Sequence, residues 1–224
     1  MAKRIKLSQR VLPDYTRGEE IMNMVTHIVG GGLAVIAAAL CILRAGLNGN
    51  SWGLIGCAMY SFTHIGVYTI SSIYHGLPDG MAKRVMQVID HCAIYFLIAG
   101  TYTAVLLGSL RTAYPTLAWC LFFFEWSLTA IAATLTAIDL KKYNIFSMIC
   151  YICMGWAILP FWQQVVHALT GLGFLLLLSG GIAYTIGAVL YGIGVKKRWM
   201  HAVFHIFVVG GSMLQFLAIL LYAL

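Results

Sequence analysis

Two histidines four positions apart, in the run His201-Ala202-Val203-Phe204-His205, are the residues of this chain best spaced to do chemistry. On a helix that spacing puts both imidazoles on one face, about one turn or ~6 Å apart along the axis, so both can reach one metal ion. Such a pair needs a third ligand, and His75, closing Ser71-Ser72-Ile73-Tyr74-His75, is the candidate. Three neutral imidazoles around zinc leave a fourth position open for water, which is the arrangement of a catalytic rather than a closed structural site. The competing reading is histidines that hydrogen-bond at helix ends; against it, ionisable groups inside membranes are costly and usually functional.

Zinc protease helices carry a glutamate directly after the first histidine, whereas this chain has Ala202, so a general base must come from another helix. Asp90 is the nearest carboxylate by topology and could hold and deprotonate a water on the metal. It could equally be an acid favoured by the dipole at the start of its helix. Ser71, one turn before His75, either orients that histidine or a water, or bonds to its own backbone. Glu20, Asn23 and His27 share one helical stripe. Ser71, Asn23, His27 and His91 are expected to hold the ligands or a bound water rather than the ion itself.

The elements that must carry these residues are apolar helices. Of 224 residues, 61% are hydrophobic and only 9% charged, against roughly 45–50% apolar and ~25% charged in soluble domains. Long apolar runs place spans near 21–43, 52–75, 87–108, 114–137, 143–161, 169–194 and 201–223. The fifth is the shortest, because Pro160 ends it early. The reading is an all-α, seven-transmembrane helix bundle over 21–224, preceded by a tail of residues 1–20 that contains no cleavable signal. Thr16 and Glu19 have the spacing of a capping box at the start of the first helix.

Orientation follows from the basic residues. Lys3, Arg4, Lys6, Arg10, Arg17, Lys83, Arg84, Lys141, Lys142, Lys196, Lys197 and Arg198 fall on one side of such a bundle, and only Arg44 and Arg111 on the other. Positively charged loops stay inside, which puts the N-terminus in the cytoplasm and the C-terminus outside. Removing the fifth span would move Lys196, Lys197 and Arg198 outward, so the charge pattern itself favours seven. This topology carries His75, Asp90, His201 and His205 to the cytoplasmic ends of their helices, level with Glu20, Asn23 and His27.

The formal charge of +7 is thus a topological signal. It is spread between apolar runs and forms no basic face, so nucleic acid is not an expected partner. The six cysteines lie within or beside apolar runs and read as free thiols, and Cys150-x-x-Cys153 alone is a weak zinc motif. Gly30-Gly31-Gly32, Gly180-Gly181 and Gly210-Gly211 read as helix seams. Glu125 and His64, both deep within spans, are expected to have internal hydrogen-bond partners. His167 falls on the outer side.

Glu20-x2-Asn23-x3-His27, Ser71-x3-His75, Asp90-His91-x2-Ile94-Tyr95-x2-Ile98-Ala99-Gly100-Thr101-Tyr102-Thr103 and His201-x3-His205 together resemble the hemolysin III family. That family belongs with the progestin and adipoQ receptors and, more distantly, the alkaline ceramidases. The resemblance covers essentially all seven spans and implies a cytoplasm-facing zinc held by His75, His201 and His205. It also implies that Asp90 holds the water on the metal and that Ser71 matches the family's serine. Ala104 departs from the family, where a proline often follows Gly-Thr-Tyr-Thr, and this concerns the course of the third helix. The implied setting is the bacterial cytoplasmic membrane, with membrane lipids as partners; the sequence names no protein partner.

Three functions fit these expectations. The first is a zinc-dependent intramembrane hydrolase of a lipid amide. The second is a non-catalytic sensor of membrane state in which zinc staples helices together. The third, a channel or transporter suggested by Glu125 and His64, lacks the repeats and broken helices usual for that class.

Overall fold

The computed structural model describes residues 7–194 and 196–224; Lys3, Arg4 and Lys6, counted above, lie outside the described residues. Helix α1 (Arg17–Leu47) begins with the expected capping box: Thr16 Oγ1 accepts from Glu19 N–H at 3.2 Å, and Glu19 Oε2 accepts from Thr16 N–H at 2.9 Å. Asn50 caps α2 (Ser51–Gly76) by accepting from Gly53 N–H at 2.8 Å. α3 (Met81–Val105) continues through a π turn, Leu106–Leu110, to Ala113. Within that turn the Gly108 carbonyl accepts from Asn50 Nδ2 at 2.8 Å. α4 (Pro115–Ile138) opens on a proline, where a helix needs no N–H. There follow α5 (Asn144–Trp156), a 3-10 turn at Leu159–Phe161, α6 (Trp162–Gly194) and α7 (Met200–Ala218), which ends in a second π turn, Ile219–Ala223. No strand occurs among the described residues.

Among the described residues five helical stretches are long and apolar enough to cross a membrane: α1, α3 with its extension, α4, the run Asn144–Gly194, and α7 with its π turn. The seven expected spans are therefore not all independent by this measure. α5 has 13 residues, or ~20 Å at 1.5 Å per residue, short of a ~30 Å hydrocarbon core. α2 buries Ser61, Thr63, His64, Ser71 and His75, and such polar residues lower its hydropathy. The third helix runs from residue 81 to 113 rather than 87 to 108. α6 starts earlier than expected, at Trp162, but breaks at Thr170, whose φ of 69° lies in the left-handed region disfavoured for a β-branched residue. Thr170 Oγ1 accepts from Gly173 N–H at 3.5 Å and so caps the continuing helix close to the expected start at 169.

α2 packs between α1 and α3, α4 lies on α3, and α7 lies on α6 and α1. Close approach depends on a few glycines. A β-carbon at Gly56 would stand 3.0 Å from both Ala104 Cα and Thr103 O on α3, whereas one at Gly66 on the same helix would meet open space. Gly30, Gly180 and Gly211 face neighbouring helices, while Gly32, Gly181 and Gly210 face nothing. Gly56→Val is expected to destabilise the protein by about 1–3 kcal/mol through overpacking. Gly66→Ala, which removes a helix-weakening glycine, should stabilise it by up to ~1 kcal/mol. Unfolding in mixed detergent measures both, and equal effects of the two changes would refute this packing account.

Two residues expected to have internal partners differ. His64 has them: Nδ1 donates to Tyr60 O at 3.0 Å, and Nε2 lies 3.4 Å from Thr101 Oγ1. Glu125 corrects the expectation, since it is fully buried and neither carboxyl oxygen has a hydrogen-bond partner among the described residues.

Candidate metal centre

The three histidines singled out from the sequence lie together, all buried, with one ring nitrogen from each within 4.8 Å of the other two. α7 supplies His201 and His205 by its helical repeat, and their Nε2 atoms stand 3.0 Å apart. Two imidazole nitrogens ~2.0–2.1 Å from one tetrahedral ion would be separated by about 3.4 Å, so small ring movements convert this pair into ligands. α2 ends at Gly76, which brings His75 to the same level, edge-on to His205 with ring centres 5.0 Å apart.

His75 is held in one orientation. Its Nδ1 lies 2.6 Å from Glu20 Oε2, which makes Nδ1–H a donor to the carboxylate. Asn23 Nδ2, at 3.4 Å from the same nitrogen, is then a packing neighbour rather than a donor to it. His75 Nε2 is left bare, buried and without a hydrogen-bond partner among the described residues. A carboxylate behind a histidine that presents its other nitrogen inward is the usual support of a metal ligand. The chemistry of the donors and this orphaned nitrogen fit a zinc-type ion held by His75, His201 and His205.

Glu20 is itself braced. Its second oxygen accepts from Lys83 Nζ at 2.7 Å, and the same ammonium, buried at the start of α3, donates to Leu77 O at 2.9 Å. α1, α2 and α3 thus meet in the series Lys83, Glu20, His75. Glu20→Gln is expected to weaken metal binding by about 10–100-fold, the usual cost of losing such a partner, and Lys83→Met by less. Competition with a chromogenic chelator reads the affinity; unchanged affinity in Glu20→Gln would show that His75 needs no orientation.

The other residues divide by what they touch. His27 stacks on His205 at 3.8 Å between ring centres, and among the described residues neither of its nitrogens is hydrogen-bonded. His91 is engaged at both nitrogens, by Gln87 O at 2.8 Å and Tyr191 Oη at 3.2 Å, which removes it from the ligand set. Asp90 and Ser71 lie in the wall of an apolar cavity of about 150 Å³ that also opens on His201 and His205. Among the described residues the Ser71 hydroxyl makes no bond to its own helix, unlike Ser72, which donates to Tyr68 O at 2.7 Å. Asp90 is outside the triangle of nitrogens.

Sequence reasoning left Glu20, Lys83 and Tyr15 out of the site. Glu20 had a signal, since it shares the stripe of Asn23 and His27; Lys83 was counted only as a topological charge. Tyr15 had none. It comes from the tail and stacks on His201 at 4.9 Å, covering the histidines. Burial, then Tyr191, Glu20 and Asp90 nearby, push its phenol up, so it stays protonated. The tail and the loop before α7 are tied down by Arg84 Nε donating to Arg10 O at 2.9 Å and by Trp199 N–H donating to Glu19 Oε1 at 2.6 Å.

Helices able to cross a membrane, with a buried histidine triad that could hold a metal ion at the wall of an apolar cavity, define an integral membrane protein with a candidate metal centre. The chain belongs to the haemolysin III family: the family model described as Haemolysin-III related matches residues 15–216. It is 35% identical over 206 residues to Hemolysin-3 of Bacillus cereus, covering 92% of each chain. It is also 35% identical over 208 residues to the Hemolysin-3 homolog of Bacillus subtilis (strain 168), covering 93% of this chain and 96% of the relative. A human relative, Monocyte to macrophage differentiation factor, is 26% identical over 209 residues, covering 90% of this chain and 83% of that one. No solved structure matches it.

Proposed function

We propose that this protein is a zinc-dependent intramembrane hydrolase of a lipid amide, serving membrane lipid homeostasis in the bacterial cytoplasmic membrane. In this reading the chain crosses seven times, with its N-terminus cytoplasmic and its C-terminus outside. The observation that carries the reading is the bare Nε2 of His75, grouped with His201 and His205 beside a cavity whose wall holds Asp90 and Ser71. When bound there, zinc would supply Lewis acidity to polarise a carbonyl and ease deprotonation of water. Asp90 takes the proton from the attacking water and returns it to the amine nitrogen as the carbon–nitrogen bond breaks, which yields a fatty acid and an amine. Ser71 holds the water or the carbonyl by its hydroxyl. Val67, Leu97, Ile98 and Val208 give the cavity an apolar lining suited to hydrocarbon. Purified full-length protein supplied with a panel of N-acyl lipids should release fatty acid, lose that activity to a chelator and recover it with zinc. Activity unchanged in both His205→Ala and Asp90→Ala would sink the proposal.

A second reading is favoured by the polar series linking helices. Since Lys83, Glu20 and His75 join α1, α2 and α3, and the ligand set adds α7, an ion here also staples four helices and could report membrane state without turnover. In that case His75→Ala lowers thermal stability in detergent and no lipid amide is consumed.

A further inference from the structure

Gln215 lies ten residues beyond His205 on α7, ~15 Å further along the helix at about 1.5 Å per residue. It borders the same cavity and a second chamber of about 50 Å³ that shares its wall. The polar side chains around it are engaged. Tyr102 Oη donates to Gly155 O at 3.3 Å and accepts from Ile158 N–H at 3.0 Å. Trp156 Nε1 donates to Thr185 Oγ1 at 3.1 Å, and that hydroxyl donates to Gly181 O at 2.8 Å. Thr101 Oγ1 donates to Leu97 O at 3.1 Å. The Gln215 carboxamide makes no hydrogen bond among the described residues. Its stem packs against Gly180, where an added β-carbon would stand 2.5 Å from Gln215 Cγ, so the missing side chain at 180 makes room for it. Gln215 is half-buried, and a carboxamide that turns toward an apolar cavity without a partner is costly there unless what fills the cavity completes it.

The geometry points to a ligand that carries a second polar group, a hydroxyl or keto oxygen, partway along its hydrocarbon chain, read by Gln215. This inference rests on the lipid reading of the cavity given above. An extended chain built from bonds of about 1.5 Å advances roughly 1.25 Å per carbon. A span of ~15 Å then places the polar group about a dozen carbons from the head held near His205. A carboxamide suits such a group because it donates through its NH2 and accepts through its oxygen, so it can satisfy a hydroxyl in both directions.

The test uses the zinc-loaded full-length protein in detergent with stearate, 12-hydroxystearate and 2-hydroxystearate as probes, read by calorimetry. The wild type should bind 12-hydroxystearate about five- to tenfold more tightly than stearate, the worth of one net hydrogen bond, while the 2-hydroxy isomer shows no such gain. In Gln215→Leu and Gln215→Met the ratio of 12-hydroxystearate to stearate affinity should collapse to about one, with zinc content as the check on folding. Equal binding of stearate and 12-hydroxystearate by the wild type overturns the inference, as does a preference that survives in a folded Gln215 variant. Binding of stearate without preference leaves the lipid reading standing and removes only the role of Gln215. If the zinc-loaded wild type binds none of the three, the lipid reading falls and this inference with it. The comparison of isomers in the wild type needs no variant, so a misfolded substitution does not shield the proposal.

Discussion

On the proposed metal site, zinc retained through purification is expected to fall in His205→Ala from near one ion per chain to under about a tenth. His205 sits in the middle of the triad, 3.0 Å from His201 through Nε2 and edge-on to His75. Its loss leaves one donor on α2 and one on α7. Removing a partner behind a ligand costs about 10–100-fold in affinity, so removing the ligand itself must cost more. The ring is also a packing element, stacked under His27, and its removal disturbs the core. His64→Ala separates the two effects: His64 is equally buried, but its contacts are Tyr60 and Thr101 on α2 and α3. That variant should lose stability and keep its zinc. Metal analysis of the three proteins decides the matter, and full zinc in His205→Ala, or none in the wild type, would overturn the metal centre.

On the proposed hydrolase function, Asp90→Asn is expected to slow lipid amide hydrolysis by about 10²–10⁴-fold, the range for losing a general base, while zinc content is unchanged. The reasoning rests on position. Asp90 is in the cavity wall beside the histidines but outside the ligand set, so asparagine keeps the shape of the side chain while removing its negative charge and its capacity to take a proton. Steady-state rates and metal content, measured on the same preparation, test both halves. Zinc lost with activity would make Asp90 a ligand, and activity retained with zinc would leave the base elsewhere in the cavity.

Much of the site was legible because helices make it so. Residues i and i+4 share a face, which selected His201 with His205 and Ser71 with His75 before any coordinates. The same rule placed Glu20, Asn23 and His27 on one stripe. It could not say which of the three would bond to His75. That depended on how far α1 slides past α2, and the structure gives the role to Glu20 at 2.6 Å rather than to Asn23. Lys83 is a similar case. Two loop-flanking cations, Lys83 and Arg84, look alike in a charge count, yet one is buried against Glu20 and the other holds the tail at Arg10.

Hydropathy was less reliable about lengths. It reads residues one window at a time, so it drew a span over 143–161 where α5 ends at Trp156 and a 3-10 turn follows to Phe161, and it ended the third span at 108, inside the π turn that carries the helix on to Ala113. The cost of a carboxylate within a span gave Glu125 an expected partner, and none of the described residues provides one.

By itself, the sequence determined that this chain is a set of apolar helices and which imidazoles could face one ion, because composition and helical period are properties of short segments. Tertiary structure alone decided which carboxylate fixes His75, that Tyr15 of the tail covers His201, and that the Gln215 carboxamide borders the cavity without a hydrogen bond to any described residue. Those outcomes depend on the offsets and rotations of packed helices, and such quantities are set by contacts between residues far apart in the chain.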